Sequence, residues 1–258
     1  MTDDAPQTPP ARTRTLPRWL TAGRLALGVS VVALAVAVAP HLSGGDFGGR
    51  VRTYLLANPQ VLDEVMAARQ AGQDEARIAG INEAVAANPA LLAHDPRDPG
   101  VGPLDAKVTV VEFFDYRCPG CKAVSPDFLR IIEANPDVRF VFKEWPILDR
   151  GDDVVSQYAA RAALVANQQG KYLPVHQALM AEASLSQEAI DRILAENGVT
   201  VAPGAIASPE TTRHLTDIST TAQVLKVDAT PTFLINGRAT PSIAPQDVAA
   251  AIAAAKAA

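Results

Sequence analysis

Two cysteines, Cys118 and Cys121, are the only ones in the 258-residue chain, and they belong to the sequence Cys-Pro-Gly-Cys. A disulfide across this spacing would close almost no loop and would stabilise a fold very little. A zinc site would need two further ligands, and the four histidines of the chain are too scattered to supply them. The pair therefore favours redox chemistry, with reversible formation of a disulfide between the two thiols.

The sequence around the pair predicts a strand followed by a helix. Val108 to Phe114 is rich in β-branched and aromatic residues, which is typical of a buried strand, and a helix should run from Pro119 to about Ala134. The first turn of a helix has unpaired N–H groups and the positive end of the macrodipole, which would stabilise a thiolate. We therefore assign Cys118 as the nucleophile and Cys121, one turn along, as the resolving thiol.

Three further positions could support this chemistry. Glu112 lies within the apolar strand, where burial should raise the pKa of its carboxyl, so that it could accept the Cys121 proton. Lys143, at the end of the second predicted strand, is the favoured charge partner of Glu112, and the alternative is an ordinary surface lysine. Thr230 and Pro231 stand just before a later strand, a place where proline is tolerated. A cis bond between them would leave the Thr230 backbone free to pair with an extended substrate.

The remaining elements predict an α/β fold. Strands and helices follow in the order βαβ, a helical block and ββα, with a hairpin turn at Asn236-Gly237. Beyond the first strand and helix, the predicted elements are a strand at 138–142, helices across 153–225, a strand at 232–235 and a final helix from about residue 245.

The N-terminus predicts a membrane-targeting segment. Four arginines precede the apolar run from Leu25 to Ala39, so residues 1–42 are typical of a signal peptide or signal anchor with a basic cytoplasmic tail. Pro40 should impede cleavage. The expected location is the periplasm, with the chain either tethered to the inner membrane by residues 20–39 or released after signal cleavage.

Residues 43–95 predict a linker followed by a helical segment. Apolar residues recur at helical spacing within 50–94, and two Asn-Pro steps indicate helix ends. A helical segment of this length cannot bury its apolar stripe alone. It must therefore pack on the main domain or on copies of itself. We favour a homo-oligomer formed through residues 50–94.

The segments VEFFDYRCPGCK and VDATPTFLINGR resemble the DsbA-type thioredoxin fold. The resemblance covers residues 96–258 and includes KEWPIL and QGKYLPVHQALM. It implies a thioredoxin fold with a helical subdomain inserted at about 150–225. It also implies that Cys118 and Cys121 form the redox-active disulfide, that Glu112 is the buried acid and that the Thr230–Pro231 bond is cis.

The chain departs from the DsbA prototype in the dipeptide between the cysteines, which is Pro-Gly instead of Pro-His. Loss of that histidine removes one cation that stabilises the thiolate. The pKa of Cys118 is therefore expected between about 3.5, as in DsbA, and about 7, as in thioredoxin. Thr230 before the proline resembles the disulfide isomerases of the superfamily.

The sequence VRTYLLANPQVLDEVMAARQ resembles the segment that drives oligomerisation in ScsC-like proteins. These resemblances imply a protein that forms or isomerises disulfides in exported proteins. Its expected partners are unfolded or misoxidised exported proteins and a DsbB-like or DsbD-like membrane redox protein. Two alternatives are a thiol protein that binds copper under copper stress and a reductase for cytochrome maturation, although the large helical block argues against the reductase.

Composition sets further limits on function. The net charge is −5, and the sequence has no basic run with interleaved aromatic residues, so nucleic acid is not an expected partner. The chemistry of the two thiols needs no bound cofactor and no metal, and none is predicted.

Overall fold

The structure is a computed structural model that describes residues 47–258. The predicted signal segment and the start of the linker lie outside the described residues. The chain divides into two compact units, Met1–Ala67 and Ala68–Ala258. Within the described part, no helix is long and apolar enough to cross a membrane.

The described part of the first unit is helical. Helix α1 spans Phe47–Ala57, and helix α2, Gln60–Ala87, begins directly after Pro59. The residue before a proline disfavours helical geometry, which explains the break at Asn58. The Asn58 side chain donates to the carbonyl oxygen of Tyr54 at 2.9 Å and so satisfies an end of α1. No residue from 47 to 67 is buried.

The end of α2 belongs to the second unit and packs on its core. Ile81 is fully buried and Val85 nearly so, in one apolar cluster with Leu225 and Leu234. This half of the apolar stripe therefore packs on the main domain. A 3₁₀ turn at Pro89–Leu92 follows.

The centre of the second unit is a five-stranded sheet in the order β1-β3-β2-β4-β5. The β2 and β3 strands are parallel, and all other neighbours are antiparallel. The strand bounds are Gly100–Val101 for β1, Thr109–Phe114 for β2, Arg139–Glu144 for β3, Thr232–Ile235 for β4 and Arg238–Ala239 for β5.

Six further helices surround the sheet in the described chain. Helix α3 connects the two parallel strands, and four helices between β3 and β4 form the predicted insertion. Ser186 and Ser208 accept backbone N–H groups at the starts of two of these, as N-cap residues do. The bounds are Pro119–Ala134 for α3, Val155–Gln168 for α4, Tyr172–Ala181 for α5, Gln187–Glu196 for α6, Pro209–Val224 for α7 and Pro245–Ala257 for α8.

Alternation along the β2 strand separates two cores. Val110 and Phe114 belong to the cluster that contains the apolar face of α3, whereas Val111 and Phe113 belong to the cluster with the end of α2. Glu112 shares the face of Val110 and Phe114 because it lies two residues from each. The strand therefore directs this carboxyl to the side of the sheet on which α3 and the cysteines lie.

Candidate active site

Cys118 lies at the start of α3 as its N-cap residue. Pro119 occupies the first turn, where its missing N–H costs no helical hydrogen bond. The backbone carbonyl oxygen of Cys118 accepts the Lys122 N–H at 3.0 Å. Apolar side chains at four-residue spacing, including Phe128 and Ile132, form one face of the helix, and this face is buried in the core. Packing of this face fixes the helix and with it the position of Cys118.

The start of α3 stabilises Cys118 as a thiolate. A hydrogen bond with the Cys121 side chain is the largest of the causes that lower the pKa of Cys118 to about 5. The Thr230 side chain and the N–H groups of Gly120 and Cys121 act in the same direction, and burial opposes them. The protonated thiol instead donates to the Thr230 carbonyl oxygen at 3.2 Å.

Cys121 has the opposite proton affinity. It is fully buried. The hydrogen bond to Cys118, burial and the charge of Glu112 all raise the pKa of the Cys121 thiol far above its ordinary value. Cys121 therefore remains a thiol while Cys118 is an anion, and both cysteines are free in this structure.

The Glu112 carboxyl is buried on the cysteine side of the sheet. Burial, and after it the charge of Cys118, raises its pKa to about 8. Its Oε2 atom has no hydrogen-bond partner among the described residues. A carboxyl with this pKa can take up and release a proton near neutral pH.

The prediction that Lys143 is the charge partner of Glu112 is wrong. Lys143 is paired in register with Phe113, whereas Glu112 is paired with Phe142, so the Lys143 side chain lies on the other face of the sheet. There its ammonium binds the Asp98 carboxylate at 2.5 Å.

The Thr230–Pro231 peptide bond is cis, and it lies against the start of α3. A Cβ atom added to Gly120 would be 3.3 Å from Pro231 Cδ and 3.7 Å from Cys118 Sγ. The glycine between the cysteines thus allows the proline loop to approach Cys118 closely. The structure therefore brings Cys118, Cys121, Thr230 and Pro231 together, with Glu112 behind them in the sheet.

Asp115 is a site residue that the sequence reasoning missed. Its buried carboxylate accepts the Arg117 N–H at 2.7 Å, the Ile147 and Leu148 N–H groups at 2.8 and 3.0 Å, and the Ser156 hydroxyl at 2.9 Å. It thereby ties the loop before Cys118 to the start of the helical insertion. The available signal was an aspartate directly after a buried strand.

Two protein-family models match the chain. The thioredoxin model covers residues 94–254, and the model of the copper resistance protein ScsC N-terminal domain covers residues 46–76. The first match spans more than half of the sequence. The chain belongs to the thioredoxin family. The prediction of a thioredoxin-fold thiol–disulfide oxidoreductase similar to DsbA and ScsC is thereby confirmed at the level of the family.

Solved structures of other thioredoxin-like proteins are similar to this thioredoxin-family chain. A thioredoxin-like oxidoreductase from Silicibacter pomeroyi is 36% identical, with a TM-score of 0.60 over 66% of this chain and 99% of that one. ScsC of Proteus mirabilis in a transitional conformation is 25% identical, with a TM-score of 0.61 over 80% and 94%. A periplasmic thioredoxin-like protein from Salmonella enterica serovar Typhimurium is 26% identical, with a TM-score of 0.59 over 66% and 95%. The predicted fold, with its helical insertion, is confirmed.

Curated relatives share a smaller part of their length. The Na⁺/H⁺ antiporter NhaA 3 of Salinispora tropica is 31% identical over 161 residues, which are 57% of this chain and 23% of the antiporter. Disulfide bond formation protein D of Bacillus subtilis is 40% identical over 65 residues, which are 24% of this chain and 28% of that protein. The chain thus spans about a quarter of the length of these relatives, and the antiporter's activity is not carried over to it.

Proposed function

We propose that this chain catalyses thiol–disulfide exchange in exported proteins through reversible oxidation of Cys118 and Cys121. The opposite pKa shifts of the two thiols carry this proposal, because they make Cys118 a nucleophile at neutral pH and keep Cys121 in reserve. The geometry supports a role for Thr230 and Pro231 in holding substrate, since the Thr230 carbonyl lies 3.2 Å from the Cys118 sulfur.

The exchange has two steps. The Cys118 thiolate attacks one sulfur of a substrate disulfide, a mixed disulfide forms, and the other substrate sulfur leaves as a thiolate. Cys121 then loses its proton to the ionised fraction of Glu112, which grows as the pH approaches the pKa of about 8, and attacks the Cys118 sulfur, and the second substrate sulfur leaves. The substrate gains two electrons and the cysteine pair loses two. In the reverse direction, the oxidised pair takes two electrons from a substrate dithiol and leaves it as a disulfide.

We infer that formation and isomerisation of disulfides prevail over reduction. The Cys118 pKa of about 5 lies between about 3.5 for DsbA and about 7 for thioredoxin. The reduction potential should therefore lie between those of the two proteins, about −120 and about −270 mV. A pair with such a potential can form a disulfide and also release a wrong one.

The test is the reduction potential of the full chain together with recovery of activity from scrambled ribonuclease. We expect an intermediate potential and recovery that needs Cys118. Cys118→Ser should abolish the activity, whereas Cys121→Ser should trap mixed disulfides. A wild-type protein that neither exchanges with glutathione disulfide nor reactivates ribonuclease would refute the proposal.

We propose that residues 47–67 mediate self-association. Their apolar side chains are exposed: Phe47 by 77%, Leu56 by 72% and Met66 by 61%. The match to the ScsC N-terminal domain model over residues 46–76 supports this assignment. Val65→Glu with Met66→Glu should reduce the mass in solution to that of one chain, whereas the exposed polar change Gln70→Glu should leave it unchanged.

We propose a periplasmic location, with exported proteins as substrates and a DsbB-like or DsbD-like membrane protein as redox partner. The similarity to a periplasmic thioredoxin-like protein supports the location. A reporter enzyme that is active only after export, fused after residue 258, should be active. Loss of its activity on deletion of residues 1–42 would assign export to that segment.

A copper-binding role is a second candidate because the N-terminal match is to a copper resistance protein. Thiolates bind Cu(I) well. However, among residues 47–258 no three side chains of His, Cys, Asp or Glu are grouped so that they could hold one metal ion. Stoichiometric Cu(I) binding that Cys118→Ser abolishes, with no exchange activity in the wild type, would favour this role over the first.

A further inference from the structure

A buried cluster of four polar side chains includes Tyr116, which lies two residues before Cys118. The Glu144 Oε1 atom accepts the hydroxyls of Tyr116 and Tyr172, each at 2.9 Å. The His176 Nδ1 atom lies 3.1 Å from the Tyr116 oxygen and 3.4 Å from that of Tyr172. Both hydroxyls thus converge on Glu144 and His176, and all four residues are at most 5% exposed.

The cluster is held by hydrogen bonds. Within the described chain, no lysine or arginine forms an ion pair with Glu144, and burial raises the pKa of this carboxyl well above its ordinary value. Burial also lowers the pKa of His176 to about 3, so the imidazole is uncharged.

The four residues come from three parts of the fold. Tyr116 lies two residues before Cys118, and Glu144 ends the β3 strand, in register with Phe114. Tyr172 and His176 belong to α5 in the helical insertion. The Tyr116 hydroxyl is therefore where the loop that carries the nucleophile is attached to both the sheet and the insertion.

We propose that Glu144 is a positioning residue for thiol–disulfide exchange, which accepts the Tyr116 hydroxyl and so holds Cys118 at the start of α3. This inference rests on the proposed function of Cys118. Asp115 fixes the backbone of the same loop by accepting the Arg117 N–H, and Glu144 fixes the Tyr116 side chain by accepting its hydroxyl. With both bonds the Cys118 sulfur stays close to the N–H groups of Gly120 and Cys121 that favour its anion.

Four variants of the full chain test this role. Tyr116→Phe keeps the aromatic contact with Phe114 and removes only the hydroxyl. Glu144→Leu removes the acceptor, and Glu144→Gln restores an oxygen without the ability to ionise. Tyr158→Phe is the matched control, because it also removes a hydroxyl bonded to a carboxylate, that of Asp191 at 2.7 Å, but within the insertion.

The readouts are the ultraviolet titration of the Cys118 thiolate, the rate of exchange with glutathione disulfide, and thermal unfolding. We expect Tyr116→Phe and Glu144→Leu to raise the titration midpoint by about one pH unit, which is about tenfold in acidity. Exchange below that midpoint should slow about tenfold, because the thiolate fraction falls by that factor. Glu144→Gln and Tyr158→Phe should stay within about twofold of the wild type on this scale.

Two results would overturn the inference while leaving the proposed function intact. One is that the wild type is active while the Cys118 titration midpoint of Tyr116→Phe equals that of Tyr158→Phe. The other is a Glu144→Gln midpoint shifted as far as that of Glu144→Leu, which would assign the effect to ionisation instead of hydrogen bonding. If Glu144→Leu does not fold, the comparison of the two tyrosine variants decides.

Discussion

Cys118 and Cys121 are chemically identical side chains, and their different positions on α3 give the two thiols opposite shifts in pKa. Cys118 stands before the first turn, where N–H groups point at its sulfur, while Cys121 lies inside the helix against Glu112. The hydrogen bond between the thiols lowers one pKa and raises the other, because a proton kept by Cys121 stabilises the negative charge on Cys118.

The first prediction concerns this bond. Cys121→Ala should raise the pKa of Cys118 from about 5 toward the ordinary thiol value, because the largest stabilising cause is lost. Cys121→Ser should retain most of the lowering, since a hydroxyl can donate to the thiolate. Titration of thiolate absorbance measures both, and equal midpoints in the two variants would contradict the role given to Cys121.

The second prediction follows from Glu112, whose pKa is raised from 4.5 to about 8 by burial and then by the charge of Cys118. Between these values the folded protein keeps a proton that the unfolded chain has released. The free energy of unfolding should therefore fall as pH rises through this range. Glu112→Gln should lack this fall and be the more stable protein at pH 8, by roughly 3–5 kcal/mol.

Urea unfolding of the reduced proteins at several pH values measures this difference. The gap between the two proteins should be smallest below pH 4.5, where both the folded and the unfolded wild type are protonated at Glu112. A gap that does not change with pH would mean that Glu112 is not protonated in the folded state at neutral pH. The same variant should resolve mixed disulfides more slowly, because Cys121 loses its proton acceptor.

At the scale of elements, local sequence patterns located most of the fold. The α3 and β4 bounds agree with the predicted ones because proline at a helix start and a β-branched run are local signals. The β1 strand was missed, since its two residues lie in a Pro/Gly-rich stretch and form a strand only by pairing with β3. Asp115 was missed for a related reason, because its donors come from a segment that is distant in sequence.

Lys143 shows why a correct strand can still give a wrong partner. The strand was predicted, but the face of each side chain depends on the register between β2 and β3, and a shift by one residue reverses it. In the structure, Lys143 binds the buried Asp98 carboxylate, and His214 Nε2 lies 3.2 Å from the other oxygen of that carboxylate. The ion pair of Lys143 and Asp98 fastens the segment before β1 to β3.

The third prediction concerns this pair. Lys143→Met should destabilise the protein by about 3–5 kcal/mol, because it leaves Asp98 buried without its ammonium. Combining it with Asp98→Leu should recover much of that loss, since apolar side chains can replace a buried ion pair at little cost. Denaturant unfolding measures both, and a single variant as stable as the wild type would show that Asp98 is satisfied without Lys143.

At the scale of the whole molecule, the helical segment before the sheet is divided between the two compact units. Residues 47–67 have no buried side chain, whereas Ile81 and Val85 fill part of the core behind the sheet. Sequence periodicity gave one continuous stripe, because it records which residues are apolar and not what covers them. The second compact unit begins at Ala68, whereas a catalytic domain that begins at residue 96 stays a prediction.

The fourth prediction compares two fragments across that boundary. Residues 68–258 should unfold cooperatively at nearly the denaturant midpoint of the intact chain and keep the Cys118 titration near pH 5, because the core and the site lie within this unit. Residues 96–258 should lose on the order of 5 kcal/mol, since removal of Ile81 and Val85 leaves a cavity against Leu225 and Leu234. Two fragments of equal stability would place the boundary at residue 96 and would mean that the end of α2 only covers a core that is complete without it.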